Sequence, residues 1–281
     1  SLNDLECQIV VLCLAAEIDL KYERLFAYLQ DDVTKKRPTV ALVLRLLCTS
    51  VEDALAARRC FGPEAPLVRW QLVTLNDDPG ARRPTLLARY LKLDDRIVEY
   101  LLGSGDGDTR LGHCLVHLDA ATAPQVTLSE SLQRQLAAWG QAWAKTWAQQ
   151  PPVVLFHGRY GTGKRAAARA LGNALERPVL MLSAADLLAG DLAFEQGLEL
   201  AEREALLTNA LLCWTEVDHL LHPQPGSEPE HRTFVQALAR GRVPTLLLAE
   251  KPWESARELA GRLFLRLPFP DPTYAERRAL W

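Results

Sequence analysis

The sequence predicts an α/β domain, with a parallel five-stranded sheet between helices, preceded by a mainly helical domain. Three observations predict it. From Pro152 onward, short apolar runs alternate with helical stretches, the pattern of a parallel sheet covered on both faces. Between the first such run and the first such helix lies a glycine-rich loop ending in Lys164. Earlier in the chain, helical stretches lead into two extended runs without that alternation.

The helical part is placed at residues 1–122. Residues 2–19 form an apolar helical stretch, and Leu20 to Gln30 an amphipathic one. Asp31-Asp32 and Lys35-Lys36-Arg37 form a polar turn, and Pro38 suits the first position of the next helix, Thr39 to Cys48. A further helix runs from Val51 to Phe61 and is broken by Gly62-Pro63. Leu67 to Leu75 and Leu86 to Leu93 read as strands, and Asp94 as the cap of a helix ending near Leu102. Helices followed by a two-stranded ribbon describe a winged-helix-like module.

The α/β part is placed at residues 123–281. A helix over 127–149 opens it, with Trp139, Trp143 and Trp147 on one face, read as a stripe packed on the core. Strands are expected at 153–157, 178–182, 211–215, 244–249 and 263–267. Helices are expected at 164–175, 194–210 and 230–240.

Gly158, Gly163 and Lys164 stand at the spacing of a phosphate-binding loop, with Arg159, Tyr160, Gly161 and Thr162 between. Strand, loop and helix N-terminus point backbone N–H groups and the helix dipole at an anion, and Lys164 reaches its terminal phosphates. Arg165 stands where a Ser or Thr hydroxyl ordinarily ligates Mg²⁺. A guanidinium pairs with phosphate oxygens but cannot ligate a metal. The strand Leu211 to Thr215 repeats the problem, with Thr215 where the metal-supporting Asp belongs and Glu216 next. Asp218 lies past the usual place and reads as the cap of a following helix. Glu250 closes the strand Leu246 to Ala249, where a neutral residue usually positions water; it either turns to solvent or pairs with Lys251 or Arg165. A loop that holds a nucleotide beside two altered metal supports implies a nucleotide as ligand, and no efficient Mg²⁺ site or hydrolysis.

Other signals are weaker. A net charge of −3 gives no general drive toward nucleic acid or anionic membrane. No apolar run is long enough to span a bilayer, and the start lacks a basic, signal-like region. The six cysteines (7, 13, 48, 60, 114 and 213) include no C-x-x-C pair and read as reduced thiols of a cytoplasmic protein. His113 with His117, and His219 with His222, lack further ligands at metal spacing, so no metal site is assigned. The helix after Lys35-Lys36-Arg37 offers little to bases or phosphates, so DNA is not expected as a partner. Ser1 at the start, with Met181 as the sole methionine, suggests a segment of a longer chain.

The motif order, closing with Leu267-Pro268-Phe269-Pro270-Asp271 and Glu276-Arg277-Arg278, resembles an AAA+ ATPase core. Leu5-Glu6-Cys7 through Asp19, the run from Tyr22 to Asp32, and Arg37-Pro38-Thr39 resemble the ATPases encoded with phage-tail-like contractile injection systems. In that family a winged-helix region precedes a divergent first AAA+ module, and a better-preserved second module follows. The resemblance implies ATP or ADP as the nucleotide, phosphate binding by Gly158, Gly161, Gly163 and Lys164, and a catalytic-base position for Glu216. It makes Glu250 the sensor-like residue and Arg262 the nearest candidate for a trans-acting arginine. Other AAA+ subunits, the absent C-terminal module and protein clients are the partners it implies. A nucleotide-free scaffold, with Arg165 filling the phosphate site against Glu216 or Glu250, is the alternative.

Overall fold

The computed structural model describes residues 2–77, 84–103, 107–116, 132, 134–140, 151–254, 258–259 and 261–271. The chain divides into two compact units, Ser1–Gly107 and Asp108–Trp281. The boundary expected at 122/123 lies outside the described residues.

The first unit opens with α1 (Asp4–Ile18), whose Asn3 cap and Glu6 exchange side-chain-to-backbone hydrogen bonds of 2.9 Å each. There follow α2 (Lys21–Leu29), α3 (Val40–Leu47), capped by Thr39, and α4 (Val51–Ala57), capped by Ser50. A short α5 (Pro66–Arg69) precedes the antiparallel pair β1 (Val73–Asn76) and β2 (Tyr90–Leu93), and α6 (Asp95–Leu101) closes the unit. Thr39 bridges to Tyr90, and the Leu91 N–H donates to the Pro38 carbonyl at 2.8 Å, adding a third edge to the ribbon. Val40, Val43, Leu67, Leu91 and Leu93 are buried beneath it.

Two expectations are corrected here. The strand read from Leu67 begins as helix, because Pro66 presets the first helical φ and buried Leu67 packs from that turn. Leu86–Ala88 is a 3₁₀ turn rather than strand. The basic run is also accounted for. Gln30 donates to the carbonyls of Phe26, Lys35 and Arg37 and accepts from Thr39, fixing the loop. Arg37 pairs with Glu17 at 2.6 Å, Lys35 with Asp32 at 3.7 Å and Lys36 with Glu23 at 3.8 Å.

The second unit holds β3 (Val153–His157), α7 (Lys164–Ala174), β4 (Val179–Ser183), α8 (Ala184–Ala189) and α9 (Phe194–Leu207). Then come β5 (Leu211–Thr215), α10 (Asp218–Leu221), α11 (Glu228–Arg240), β6 (Thr245–Ala249) and β7 (Phe264–Pro268). All neighbouring strands are parallel, in the order β4-β5-β6-β3-β7. Side chains alternate across the sheet. Leu155, Trp214 and Leu247 meet Leu187, Leu200 and Phe234 on one face. Phe156, Cys213 and Leu248 meet Leu136 and Leu171 on the other, where Trp139 also packs. Burial on both faces is why these strands read as unbroken apolar runs, each large side chain contributing roughly 1.5–3 kcal/mol. Trp143 and Trp147 lie outside the described residues.

Ahead of the sheet, Leu115 bridges to Leu182, and the Val116 N–H donates to the Met181 carbonyl at 2.8 Å, so this segment lines the β4 edge. Asp108 and Arg203 form a buried pair at 2.6 Å, their side chains 1% and 2% exposed. The cysteines are free thiols. Burial pushes Cys13 up to about 12 and Cys114 up to about 11, so neither is an active thiolate at neutral pH.

Candidate phosphate-binding site

The loop between β3 and α7 departs from the C-terminal end of the sheet, where parallel sheets place their ligands. Three of its glycines take positive φ: Gly158 at 151°, Gly161 at 83° and Gly163 at 90°. Gly158 is required for space as well, since a Cβ there would lie 2.2 Å from the Phe269 carbonyl oxygen. That approach is fixed by the Phe269 N–H, which donates to the His157 carbonyl at 2.7 Å, and by packing of Phe269 on Phe156. Thr162 Oγ1 donates to the Arg159 carbonyl at 2.8 Å and closes the loop. Arg159, Tyr160 and Gly161 form its exposed tip, and Arg159 meets Asp271 at 3.3 Å.

Lys164 turns back into this loop. Its Nζ donates to the Gly158 carbonyl and, at 2.9 Å, to the Arg159 carbonyl. Burial lowers its pKa, while the negative charges of Glu250 and Asp218 oppose that and support the ammonium. Burial, with the charges of Arg266 and Lys164, likewise lowers His157 and keeps its ring neutral at pH 7.

Asp218 has a different job from the one expected. Its carboxylate accepts the Glu250 N–H at 2.9 and 3.0 Å and the Lys251 N–H at 3.0 Å, so it ties the end of β5 to the end of β6 instead of capping α10. The Glu250 side chain is exposed, as one of the two readings expected, and its negative charge acts on the Lys164 ammonium. Glu216 takes a left-handed φ of 57°, and its Oε2 accepts from Ser183 Oγ at 2.9 Å at the tip of β4. Ser183, which nothing in the sequence pattern singled out, also caps α8 by accepting the Asp186 N–H.

The donors around the loop do not fit Mg²⁺. Arg165 has no oxygen to offer, and its exposed side chain forms no ion pair among the described residues. Thr215 Oγ1 is buried and donates to the Leu182 carbonyl at 3.3 Å. Asp218 is committed to backbone N–H groups and Glu216 to Ser183. The glycine cradle and Lys164, in contrast, fit a polyphosphate.

Arg262 lies at the opposite end of the sheet. Its guanidinium donates to Pro151 at 2.8 and 3.0 Å, to Val243 at 2.8 Å and to Leu238, the first two positions preceding β3 and β6. Burial lowers its pKa to about 10, which leaves it charged at pH 7. The residue singled out as a trans-acting arginine is thus a brace at the roots of the strands, five residues of β3 away from the loop.

Loop and sheet order define the fold of the second unit, a P-loop NTPase-type parallel sheet, and the helices and ribbon of the first unit are of winged-helix type. Residues 154–265 match the model of the "ATPase family associated with various cellular activities (AAA)", and residues 1–115 match "Winged helix domain, variant". The replication factor C large subunit of Methanopyrus kandleri is 31% identical over 175 residues, covering 53% of this chain and 33% of the relative. The chain therefore spans about a third of that relative's length. Two structures of the FIGL-1 AAA domain are similar. The ADP complex has 21% identity, a TM-score of 0.41 and coverage of 55% of this chain and 59% of that one. The second has 18% identity, a TM-score of 0.46 and coverage of 62% and 64%.

Proposed function

We propose that this chain is an ATP- or ADP-binding AAA+ module that hydrolyses ATP slowly or not at all. The observation that carries this reading is a complete phosphate cradle beside oxygen donors already committed elsewhere. Backbone N–H groups of the loop between Gly158 and Lys164 would hold the phosphates, Lys164 would leave its carbonyl partners for them, and the exposed Arg165 would supply part of the charge a metal ordinarily brings. Bound nucleotide would set a conformational or oligomeric state, with neighbouring AAA+ subunits and a second C-terminal module doing the mechanical work on protein clients. The N-terminal sequence resemblance assigns the whole to a contractile injection system, in the cytoplasm.

Two observations narrow the partners. Each cation of Lys35-Lys36-Arg37 is paired with a carboxylate, and α4 exposes Val51, Glu52, Asp53 and Leu55, a surface ill-suited to DNA phosphates. No described helix is long and apolar enough to cross a membrane. The nucleotide-free scaffold needs Arg165 against Glu216 or Glu250, and Glu216 is instead held by Ser183.

Calorimetric titration with ATP and ADP, with and without Mg²⁺, tests the reading. Binding that requires Lys164 and not Mg²⁺ is expected. Turnover at ordinary AAA+ rates, abolished by Glu216→Gln, would overturn it.

A further inference from the structure

We propose that this site selects by phosphate number, accepting a nucleoside diphosphate in preference to a triphosphate, with Glu250 as the residue that excludes the third phosphate. The inference rests on the nucleotide site assigned above and goes beyond it.

The sheet places Glu250 where it can act. β6 lies directly beside β3, with Ala249 opposite His157, so Glu250 leaves its strand level with the first residue of the loop. The Gly158 N–H donates to the Ala249 carbonyl at 3.3 Å and holds the two exits together. Asp218 then fixes the Glu250 backbone through the Glu250 and Lys251 N–H groups. The backbone from which the carboxylate emerges is therefore anchored beside the loop.

Charge decides the outcome. Lys164 is the residue of such a loop that reaches the terminal phosphates, and it already shares its field with Glu250 and Asp218. The first two phosphates would lie on backbone N–H groups and the helix N-terminus, which these carboxylates do not occupy. A third would bring further negative charge to the side of Lys164 where both carboxylates act. A bound metal ordinarily screens that repulsion, but Arg165 and Thr215 supply no ligand for one, and the guanidinium brings one positive charge where Mg²⁺ would bring two. Solvent screens the exposed Glu250 in part, so the penalty is on the order of tenfold in affinity rather than absolute exclusion.

The test is calorimetry on the whole chain with ADP and with ATP, in EDTA and in Mg²⁺, for the native protein and Glu250→Gln. The exposed Glu250 side chain is not part of the core, so the variant folds normally, and its unfolding midpoint verifies that. The expected result is ADP binding about tenfold tighter than ATP, narrowed to within about threefold by Glu250→Gln through a gain in ATP affinity. Equal or tighter ATP binding in the native chain, or a preference that Glu250→Gln leaves unchanged, overturns the selection while leaving the nucleotide site standing. No binding of either nucleotide by either protein overturns the site itself, and the selection with it.

Discussion

Asp218 holds Glu250 by its backbone: both carboxylate oxygens accept the same N–H, at 3.0 and 2.9 Å, across the tips of two neighbouring strands. Asp218→Ala leaves the Glu250 and Lys251 N–H groups without their acceptor. The expected cost is about 1–3 kcal/mol, read as a lower denaturation midpoint. Nucleotide preference should weaken as well, since Glu250 is no longer fixed. An unchanged midpoint would show that the contact contributes nothing.

Gly158 and Gly161 separate two kinds of glycine requirement. Gly158→Ala must resolve a contact in which its Cβ would lie only 2.2 Å from the Phe269 carbonyl oxygen, in a backbone at φ 151°. Overpacking of about 1–3 kcal/mol adds to the backbone strain, and phosphate binding is lost because β7 and the loop can no longer approach. Gly161→Ala meets open space at φ 83° and pays only the left-handed penalty, about 1–2 kcal/mol. Parallel melts and titrations of the two variants give the comparison; equal effects would count against the argument.

The buried Asp108–Arg203 pair gives the unit an acid-sensitive contact. Burial pushes the Asp108 carboxyl up, but hydrogen bonds from Arg110 and the charges of Arg110 and Arg203 outweigh it, and its pKa is lowered. A depressed native pKa means stability that is present above the unfolded value, about 3.9, and lost as pH falls through the native value. Asp108→Asn should remove this part of the acid profile and cost about 3–5 kcal/mol at pH 7, because Arg203 stays buried. Denaturant titrations at pH 7 and pH 3 measure both effects.

Arg262→Met distinguishes a brace from a catalytic arginine. Loss of donors to Pro151, Leu238 and Val243 should cost on the order of 3 kcal/mol in stability. Nucleotide affinity should stay unchanged. A variant of native stability whose mixing with intact subunits alters ATP turnover would restore the trans-acting role.

The strands were legible because both faces of the sheet are buried. Val153–His157 and Leu211–Thr215 fall on the expected residues, β4 and β7 shift by one, and β6 starts one residue later than expected. The loop was legible because its chemistry is local. Asp218 was not, because its partners lie 32 and 33 positions away on another strand, and only the strand order brings them together. The bracing contacts of Arg262 were illegible for the same reason: its acceptors are carbonyls, which carry no residue-type signal. In the first unit, the alternation from Leu67 resembled a strand until Pro66 turned those residues into a helix.

The placement of Arg262 has a mechanical corollary. One guanidinium knots together the roots of adjacent strands, while at the far end Asp218 fastens the tips of β5 and β6 to each other and leaves β3 outside that clasp. The sheet is therefore fastened at both ends, by Arg262 at the roots of β3 and β6 and by Asp218 and the Gly158 N–H at the loop side. Asp218 is also the first residue of α10, whose Leu220 and Leu221 share a core with Phe234 of α11, so the backbone beside the loop is tied directly to the packed helices of the domain.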